Sequence, residues 1–494
     1  MTPRIPASPP AQQYIAGKLG PASAGSSYPI LNPATGQEIG RAPDSTPADI
    51  DAALAAARRA FDETDWPTNL ELRVRVLRQF HQALVEHGAE QRALTVAEAG
   101  APVFLTAGPH FDTPVATLSW TIDLAERYGW ETDLGIGVTM GIRSRRTIRR
   151  EPVGVVAAIT PWNFPNQITL AKLGPALAAG NTVVLKPAPD TPWLAAELGR
   201  LAAEYTDIPP GVFNVVLPRS SAVAALLTTD PRVDLVSFTG STRTGRAIAV
   251  RAAPTLKRTF LELGGKSAAI VLDDAVLAQA VAMAAFSVAV HAGQGCALTT
   301  RLLVPRERYQ DAVEIGASTM ASLGAKDPAD PGTICGPVIS LAQRDRIQAY
   351  LDLAVDEGGR FATGGKVPAQ DGDLAGGFWI EPTVVAGLDN SSRVAQEEIF
   401  GPVLTVIPHD GDDDAVRIAN ESPYGLSGAV DSADLKRAKA VAARIRTGTV
   451  GVNGGLWFGA DAPFGGYKQS GLGREMGVPG FEEYLQIKTV AEPS

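Results

Sequence analysis

Cysteine is scarce in this chain: two of its 494 residues are cysteine, Cys296 and Cys335. Two thiols can form one disulfide at most, which excludes a fold held together by disulfides. No set of cysteines and histidines has the spacing of a structural metal site, so we expect no bound metal. This composition is typical of a protein from a reducing compartment.

Long apolar runs and an excess of positive charge are missing as well. No apolar stretch is long enough to span a bilayer, and "MTPRIPASPPAQQYIAGKLG" has no apolar segment like that of a signal peptide. The chain has 44 Lys and Arg against 53 Asp and Glu, a net charge of −9. This balance disfavours nucleic acid or an anionic membrane as a partner, since both require a basic surface. We therefore expect a cytoplasmic protein.

The N-terminal quarter of the chain predicts mainly helices after a short β-hairpin. Residues 1–12, rich in proline, alanine and glutamine, are expected to be disordered. Residues 28–40 alternate and turn like a hairpin. Residues 45–63 predict a helix with Thr46 as N-cap and a proline at its first position.

From residue 152 onward, short β-branched runs alternate with helical segments. The runs are "VGVVAAITPW", "GNTVVLKPA", "GVFNVVLP" and "VDLVSFTGS". This alternation is typical of βαβ units and of a parallel sheet covered on both faces. A second alternating region extends from about residue 265 to residue 465. The fold class we predict is therefore α/β, with two or three domains.

Cys296, in "HAGQGCALTTR", has a neighbourhood that suits a nucleophile. Gly293 and Gly295 leave room for a substrate, and an accessible thiol of lowered pKa can attack a carbonyl. A lone cysteine is more often a small buried apolar residue, and we interpret Cys335, in "TICGPV", as such a residue.

Two further polar residues follow predicted strands. Glu262, in "LELGGK", could act as a general base toward water, or be an exposed acid at a strand end. Asn163, in "TPWNFP", lies where ligands bind in open α/β sheets and could donate to an oxyanion. Its alternative role is that of a turn residue between two prolines.

The segment "FTGSTRTGR" reads as a strand, a turn and a helix. Gly240 and Gly245 would let a phosphate approach the backbone, and Ser241 could donate to it at the helix N-terminus. The segment does not match the G-x-G-x-x-G dinucleotide fingerprint, and a plain glycine turn is the alternative.

Six motifs of the chain together resemble those of one protein family, although none of them is specific by itself. They are "TPWNFP", "FTGSTRTGR", "LELGGK", "GQGC", "EEIFGPV" and "PFGGYKQSGLGRE", in this order. In order and approximate spacing the chain resembles the aldehyde dehydrogenase superfamily, from "NPATG" to "YLQIKTV". The type it resembles is NAD(P)-dependent and hydrolytic.

The resemblance implies a covalent mechanism. Cys296 would attack the aldehyde to form a thiohemiacetal, whose oxyanion the Asn163 amide and the Cys296 N–H would hold. Hydride transfer to the nicotinamide would leave a thioester, and Glu262 would activate the water that hydrolyses it. Lys172 and Glu475 match residues sometimes linked to proton movement, but we expect a plain salt bridge.

The resemblance also implies a set of cofactor-binding residues. They are Trp162, Lys186, Gly240, Ser241, Gly245, Leu263, Gln343, Glu398 and Phe400. Many NAD-preferring relatives have a Glu that binds the ribose hydroxyls where this chain has Pro189. Its loss removes a charge that would repel a 2′-phosphate, although Asp190 follows directly. We expect NAD as the cofactor, with NADP tolerated.

For the substrate, the resemblance implies a roomy and largely apolar pocket suited to aliphatic or aromatic aldehydes. Gln167 and the small Ala171 stand where some relatives carry bulky side chains, and no arginine stands out as a carboxylate clamp. The aromatic candidates for the pocket wall are Trp457, Phe458 and Phe464.

Three structural parts follow from the same resemblance. A Rossmann-like cofactor domain would comprise residues 1–133 and 153–263, and an α/β catalytic domain residues 264–465. A small β oligomerisation arm would combine residues 134–152 with 466–494. The arm, which contains the basic segment "RSRRTIRRE", has too little core to stand alone. We therefore expect it to pair with another subunit in a homodimer or homotetramer.

The sequence is compatible with two other functions. A coenzyme-A-acylating aldehyde dehydrogenase would pass the acyl group to coenzyme A, but Glu262 favours hydrolysis because many acylating relatives lack it. A non-catalytic relative of the fold, with a binding or structural role, is disfavoured by the joint presence of Cys296, Asn163 and Glu262.

Overall fold

The computed structural model describes residues 11–494, so most of the predicted disordered start, residues 1–12, lies outside the described residues. The strands, in chain order, are β1 Gln13–Ile15, β2 Lys18–Gly20, β3 Ser27–Leu31, β4 Glu38–Pro43, β5 Glu131–Thr139, β6 Ile142–Pro152, β7 Val155–Ile159, β8 Thr182–Lys186, β9 Phe213–Val215, β10 Leu235–Thr239, β11 Arg258–Glu262, β12 Ala268–Val271, β13 Arg301–Pro305, β14 Arg360–Thr363, β15 Thr383–Ala386, β16 Val403–His409, β17 Gly428–Asp431, β18 Gly451–Val452, β19 Gly471–Leu472 and β20 Leu485–Pro493. The α-helices are α1 Pro47–Glu63, α2 Leu70–Glu86, α3 Gly88–Ala99, α4 Asp112–Arg127, α5 Pro165–Ala178, α6 Pro192–Tyr205, α7 Ser221–Ala224, α8 Leu226–Thr229, α9 Thr242–Ala252, α10 Leu277–Ala289, α11 Tyr309–Leu323, α12 Leu341–Asp356, α13 Arg393–Gln396, α14 Asp412–Asn420, α15 Leu435–Ala442 and α16 Gly477–Glu482.

The N-terminal elements confirm the local sequence signals. Strands β3 and β4 form the antiparallel hairpin expected at residues 28–40. Helix α1 begins at Pro47 with Thr46 as its N-cap, and the side chains of Thr46 and Asp49 each bind the other's backbone N–H. This capping box satisfies amide groups that the first helical turn would otherwise leave unpaired.

The first large sheet has eight strands in the order β19-β11-β10-β7-β8-β9-β1-β2. Its five central strands, β7 to β11, are all parallel, and β19, β1 and β2 join antiparallel at the edges. Counted along the chain, β7 to β11 have the order 3-2-1-4-5, which is that of a dinucleotide-binding fold. The strand order reverses between β7 and β10, and such a reversal leaves a crevice at the carboxyl ends of the strands.

The second sheet has seven strands in the order β14-β15-β16-β13-β12-β17-β18. Its pairings are parallel except for the edge pair of β14 and β15. Every residue of β7, β8, β10, β12 and β13 is buried, because helices cover both faces of each sheet. The α/β prediction is confirmed.

A cleft lies between the two sheets. Strand β11 ends at Glu262 in the first sheet, and after five intervening residues the chain begins β12 of the second. Loops that precede β13 and β16 carry Cys296 and Glu398 toward the same place. The contacts of Cys296 with Glu262 and of Glu398 with Gly265 join the carboxyl edge of one sheet to the amino edge of the other.

A three-stranded antiparallel sheet, in the order β20-β6-β5, projects as an arm. The C-terminal strand β20 pairs with β6 from Leu485 opposite Pro152 to Pro493 opposite Ser144. The arm presents exposed apolar side chains, among them Ile136, which is 55% exposed. Across residues 11–494, no helix is long and apolar enough to cross a membrane.

Candidate active site

Cys296 lies in the loop between α10 and β13, after a turn with unusual backbone geometry. His291, Ala292 and Gly293 have φ values of 51°, 52° and 70°, a left-handed conformation that non-glycine residues rarely adopt. A Cβ at Gly293 would lie 2.1 Å from the carbonyl oxygen of Gly401, so glycine is required there. After this turn the chain places Cys296 in the cleft, half-buried.

A carboxylate is the hydrogen-bonding partner of the Cys296 thiol. Its Sγ donates to Glu262 Oε1 over 3.9 Å. Burial raises the pKa of the Cys296 thiol well above its usual value, and the carboxylates of Glu262, Glu398 and Glu475 raise it further. The resting thiol is therefore protonated, and it becomes a nucleophile when a base accepts its proton.

Glu262 has the environment of such a base. Its side chain is buried at the end of β11, and its Oε2 has no hydrogen-bond partner among the described residues. Burial raises the pKa of Glu262 well above its usual value, and the Glu475 carboxylate adds to this, against the opposing charges of Lys172 and Arg474. A carboxyl group with a raised pKa accepts protons effectively near neutral pH.

Asn163 brings a side-chain amide to the same cavity. It follows β7 and is buried, and its Nδ2 donates to the carbonyl oxygen of Gln294 over 2.8 Å. An amide nitrogen carries two hydrogens, so a second N–H remains for a ligand. A fixed donor of this kind beside Cys296 can stabilise an oxyanion formed at the thiol.

Seven of the nine residues predicted to bind the cofactor line one cavity together with Asn163 and Cys296. The seven are Trp162, Gly240, Ser241, Leu263, Gln343, Glu398 and Phe400. The cavity lies at the strand-order reversal between β7 and β10, the expected place for a dinucleotide. The rings of Trp162 and Phe400 meet edge to face at 5.3 Å on its wall.

Two glycines of this cavity leave the backbone without side chains, and the N-terminus of α9 lies beside them. Both features suit the cavity to a pyrophosphate. A Cβ at Gly240 would lie 2.5 Å from the Phe238 ring, and one at Gly264 2.4 Å from Glu398 Oε2. Ser241 caps α9, its hydroxyl accepting from the backbone N–H of Thr244 over 3.3 Å. The N–H groups at the start of α9 attract phosphate oxygens, so the residues present fit a dinucleotide.

Two predicted cofactor residues lie outside this cavity. Gly245 is in α9, where a Cβ would lie 2.5 Å from Leu263 Cδ2, so its role is to let α9 pack against Leu263. Lys186 ends β8, the strand beside β7, and burial lowers its pKa to about 8. Asp190, on the turn after β8, opposes that shift.

Glu398 and Gln343 each form a hydrogen bond that fixes the side chain. The sequence did not predict a neighbouring arginine of the cavity, Arg346. Glu398 Oε1 accepts from the Gly265 N–H over 2.9 Å, and Gln343 Nε2 donates to the Phe400 carbonyl oxygen over 2.8 Å. Arg346, on the surface of α12, lines the cavity and donates to the Glu398 carbonyl oxygen. No motif marks Arg346, whose sequence context is that of an ordinary helix surface.

None of the four predicted substrate residues lines the cofactor cavity. Trp457 stacks on Phe464 at 5.3 Å and meets Phe458 at 6.0 Å, which makes the three aromatics one cluster. Phe464 exchanges two backbone hydrogen bonds with Glu475. Gln167 is buried in α5, and neither polar atom of its side chain has a partner among the described residues.

The salt bridge expected between Lys172 and Glu475 is present and buried. Lys172 Nζ also lies 4.6 Å from the centre of the Phe260 ring, so the ammonium has both an anionic and an aromatic neighbour. Among residues 11–494, no group of three His, Cys, Asp or Glu side chains could hold a metal ion.

Comparisons with known proteins agree with this architecture. Residues 21–490 match the model of the aldehyde dehydrogenase family. The chain is 42% identical over 472 residues to a 3-succinoylsemialdehyde-pyridine dehydrogenase of a Pseudomonas species, which covers 93% of this chain and 94% of that one. Geranial dehydrogenase of Castellaniella defragrans is 40% identical over 462 residues, with 93% and 94% covered.

A solved structure extends the comparison to the fold. A mutant of aldehyde dehydrogenase C from Pseudomonas syringae was crystallised with NAD+ and octanal. Its structure superposes on this chain with a TM-score of 0.92 and is 38% identical in sequence, and the match covers 99% of this chain and 98% of that one. The chain belongs to the aldehyde dehydrogenase family. It is an oxidoreductase that converts an aldehyde with a nicotinamide cofactor, which confirms the resemblance, fold and reaction class predicted from the sequence.

Proposed function

We propose that this chain oxidises apolar aldehydes to carboxylic acids with Cys296 as nucleophile, Glu262 as base and Asn163 as oxyanion donor. The observation that carries the proposal is the contact of 3.9 Å between Cys296 Sγ and Oε1 of the buried Glu262 carboxyl, whose Oε2 has no partner within residues 11–494. Asn163 lines the same cavity. Thiol, base and donor are thus brought together from three separate parts of the chain.

The first step begins with proton transfer from the Cys296 thiol to Glu262. The thiolate then attacks the carbonyl carbon, and the carbonyl oxygen becomes an oxyanion. The free N–H of the Asn163 amide and the backbone N–H of Cys296 hold that oxygen. Loss of one such donor typically costs about 3–4 kcal/mol of transition-state stabilisation.

We propose NAD as the preferred cofactor, held by the residues of the cavity together with Lys186. The start of α9 with Gly240 and Ser241 would hold the pyrophosphate, Lys186 and Glu398 the two riboses, and Trp162 and Phe400 the nicotinamide end. When bound, NAD accepts the hydride of the thiohemiacetal carbon. The NAD+ in the Pseudomonas syringae structure supports this choice, and Pro189 supports tolerance of NADP because no carboxylate at that position repels a 2′-phosphate.

Hydrolysis completes the cycle. After the first step Glu262 releases to solvent the proton that it took from the thiol. Once the acyl group is attached to Cys296, Glu262 takes a proton from water, the hydroxide attacks the thioester carbon, and the C–S bond breaks to release the acid and the Cys296 thiolate. The position of Glu262 within reach of Sγ supports hydrolysis over transfer to coenzyme A, because a base beside the thioester favours attack by water. An acylating enzyme would show faster NADH formation when coenzyme A is added, whereas we expect no acceleration.

For the substrate, we propose neutral aliphatic or aromatic aldehydes. The aromatic cluster of Trp457, Phe458 and Phe464 would form the apolar wall of the pocket. The names of two relatives support this class, since they specify a pyridyl semialdehyde and geranial, and octanal occupies the Pseudomonas syringae structure. An aldehyde panel tests it: we expect kcat/KM to be highest for apolar aldehydes, and activity confined to succinic semialdehyde would contradict it.

We also propose that the chain forms a homodimer or homotetramer through the arm of β5, β6 and β20. The exposed apolar side chains of β5 support this, because apolar surface of this kind marks an interface. A cytoplasmic location is supported by two thiols that are both unpaired.

A pair of cysteine variants tests the catalytic proposal. Cys296→Ala removes the proposed nucleophile, so we expect aldehyde-dependent NADH formation to disappear. Cys335→Ala is the matched control, because Cys335 is a buried thiol that does not line the cavity, and it should leave kcat near the wild-type value. Retained turnover in the Cys296 variant would exclude covalent catalysis at that thiol.

A further inference from the structure

The loop that carries Cys296, residues 290–300 between α10 and β13, forms hydrogen bonds with both the side chain and the main chain of Asn163. These contacts indicate that the loop also orients this residue. The side-chain Nδ2 of Asn163 donates to the Gln294 carbonyl oxygen over 2.8 Å. The main-chain carbonyl oxygen of Asn163 lies 2.9 Å from Nε2 of His291. The loop that carries Cys296 therefore contacts both the side chain and the backbone of the proposed oxyanion donor.

The contact with the carbonyl fixes how His291 is protonated. A carbonyl oxygen can only accept, so Nε2 must carry the hydrogen. Nδ1 of His291 is buried and has no partner among the described residues, and burial lowers the pKa of the ring to about 4. The imidazole is thus neutral at physiological pH and serves as a donor through one nitrogen.

The ring of His291 is held by packing on two sides. His110 meets it edge to face with ring centres 4.7 Å apart, and Phe164 meets it at 5.4 Å. Phe164 directly follows Asn163, and it stacks on His110 at 4.5 Å. The three rings form one cluster next to the proposed oxyanion donor, in which both histidines are buried and Phe164 is half-buried.

The backbone of the same segment has an unusual conformation that its contacts hold in place. His291 and Ala292 both have left-handed φ values, and the N–H of His291 donates to the Ile334 carbonyl oxygen. Gln294 Nε2 donates to the carbonyl oxygen of His291 over 3.2 Å. Strained backbone persists only where the surroundings determine it, and it is concentrated at functional sites. Here it brings the imidazole to the Asn163 carbonyl oxygen and brings the thiol to the cavity that Asn163 also lines.

We infer that His291 is a positioning residue, whose Nε2–H fixes the peptide of Asn163 so that the side-chain amide faces the oxyanion formed at Cys296. The inference rests on the proposed role of Asn163 and deepens it. A donor displaced by about 1 Å loses much of its effect on the transition state. His291 therefore acts on catalysis through Asn163 and touches no substrate itself.

The test compares variants that keep or remove the donor. His291→Phe keeps a ring in the cluster but loses the N–H, and His291→Gln keeps an N–H at about the same reach. We expect kcat to fall about 10-fold to 100-fold in the first and to recover substantially in the second. The KM for NAD+ should stay within about twofold in both. His110→Phe is the matched control, since neither nitrogen of that ring has a partner among the described residues.

A double variant distinguishes positioning from a general loss of structure. If His291 acts through Asn163, Asn163→Ala combined with His291→Phe should be no slower than Asn163→Ala alone. Losses that multiply in the double variant, or a His291→Phe enzyme with wild-type kcat, would overturn the inference. Should His291→Phe fail to fold, His291→Met replaces it as the variant without a donor.

The single Asn163→Ala variant separates this inference from the function on which it rests. Wild-type kcat in Asn163→Ala would contradict the proposed oxyanion role of Asn163 itself. A slow Asn163→Ala enzyme beside an unaffected His291→Phe enzyme would contradict the positioning role alone.

Discussion

Glu262 must be a carboxylate to accept a proton, and its burial opposes that charge. Its pKa is raised well above the usual value by burial and by Glu475. The group loses its proton only as the pH rises through this raised pKa, so activity should increase with pH over that range. We expect the acid limb of the kcat/KM profile to lie well above pH 4.5, the usual glutamate value. A limb at the ordinary value would show that the burial of Glu262 does not persist in solution.

Pro189 offers a direct test of cofactor choice. Pro189→Glu restores a carboxylate beside the ribose and should lower kcat/KM for NADP+ at least about tenfold by repulsion of the 2′-phosphate. The value for NAD+ should change little. Kinetics with both cofactors check this, with Asp190→Asn as the companion variant. An unchanged NADP+ value would show that residue 189 does not face the ribose.

At the residue scale, the sequence predicted the groups that lie within short motifs. Cys296, Glu262 and most of the predicted cavity residues lie in short motifs that contain glycine or proline, and the order of these motifs carries the family resemblance. His291 and Arg346 were missed because their roles depend on contacts across the fold: His291 meets a carbonyl 128 positions away. A histidine before a glycine carries no sign of such a contact.

Helix α9 shows how an element depends on one small residue. Gly245 lets α9 approach Leu263, and an added Cβ would lie 2.5 Å from Leu263 Cδ2. Gly245→Ala should displace Leu263 into the cofactor cavity and raise the KM for NAD+ about tenfold, with a smaller effect on kcat at saturation. Gly316→Ala is the helical control, because its Cβ would make ordinary contacts of 3.7 Å or more. Equal KM values for the two variants would contradict this account of α9.

Elements were predicted well where local signals and packing agree. Helix α1 has both a capping box and an apolar face, and strands such as β7 are runs of buried apolar residues. The left-handed turn at residues 291–293 was not predicted, since only Gly293 favours that conformation and His291 and Ala292 do not. Tertiary contacts of the turn override local preference there.

At the scale of the whole molecule, a substitution in the arm tests whether the protein forms the proposed homo-oligomer. Ile136 on β5 is 55% exposed, with Leu134 and Val138 exposed beside it at alternate positions. A buried charge at such an interface is costly, so Ile136→Glu should shift the protein toward monomer in light scattering. Val355→Glu, at a similarly exposed position on α12, is the control. An Ile136→Glu protein of unchanged mass would contradict the proposed arm interface.

The two-sheet architecture could be predicted because strand and helix periodicities alternate along the chain, but its details could not. Residues 471–472, expected in the arm, form β19 and pair with β11 of the first sheet. A two-residue strand has no periodicity to detect, and its place is set by the neighbouring Glu262. The number of subunits likewise depends on surfaces that meet only in the assembled protein.

The central claim is that the acyl group is carried on Cys296 and released by Glu262. The most direct measurement is intact-protein and peptide mass spectrometry of Glu262→Gln after mixing with NAD+ and the aldehyde of highest kcat/KM. General-base catalysis is worth about 10²–10⁴-fold, so the variant should slow both the activation of the thiol and the hydrolysis of the thioester. The thiol can still lose its proton to bases in solution, so the thioester should form slowly and accumulate over a long incubation because its hydrolysis lacks a base. We expect an added mass equal to the aldehyde less two hydrogens, located on Cys296 and absent from the Glu262→Gln, Cys296→Ala double variant. An enzyme that turns over normally, or an adduct located on Cys335, would contradict the account.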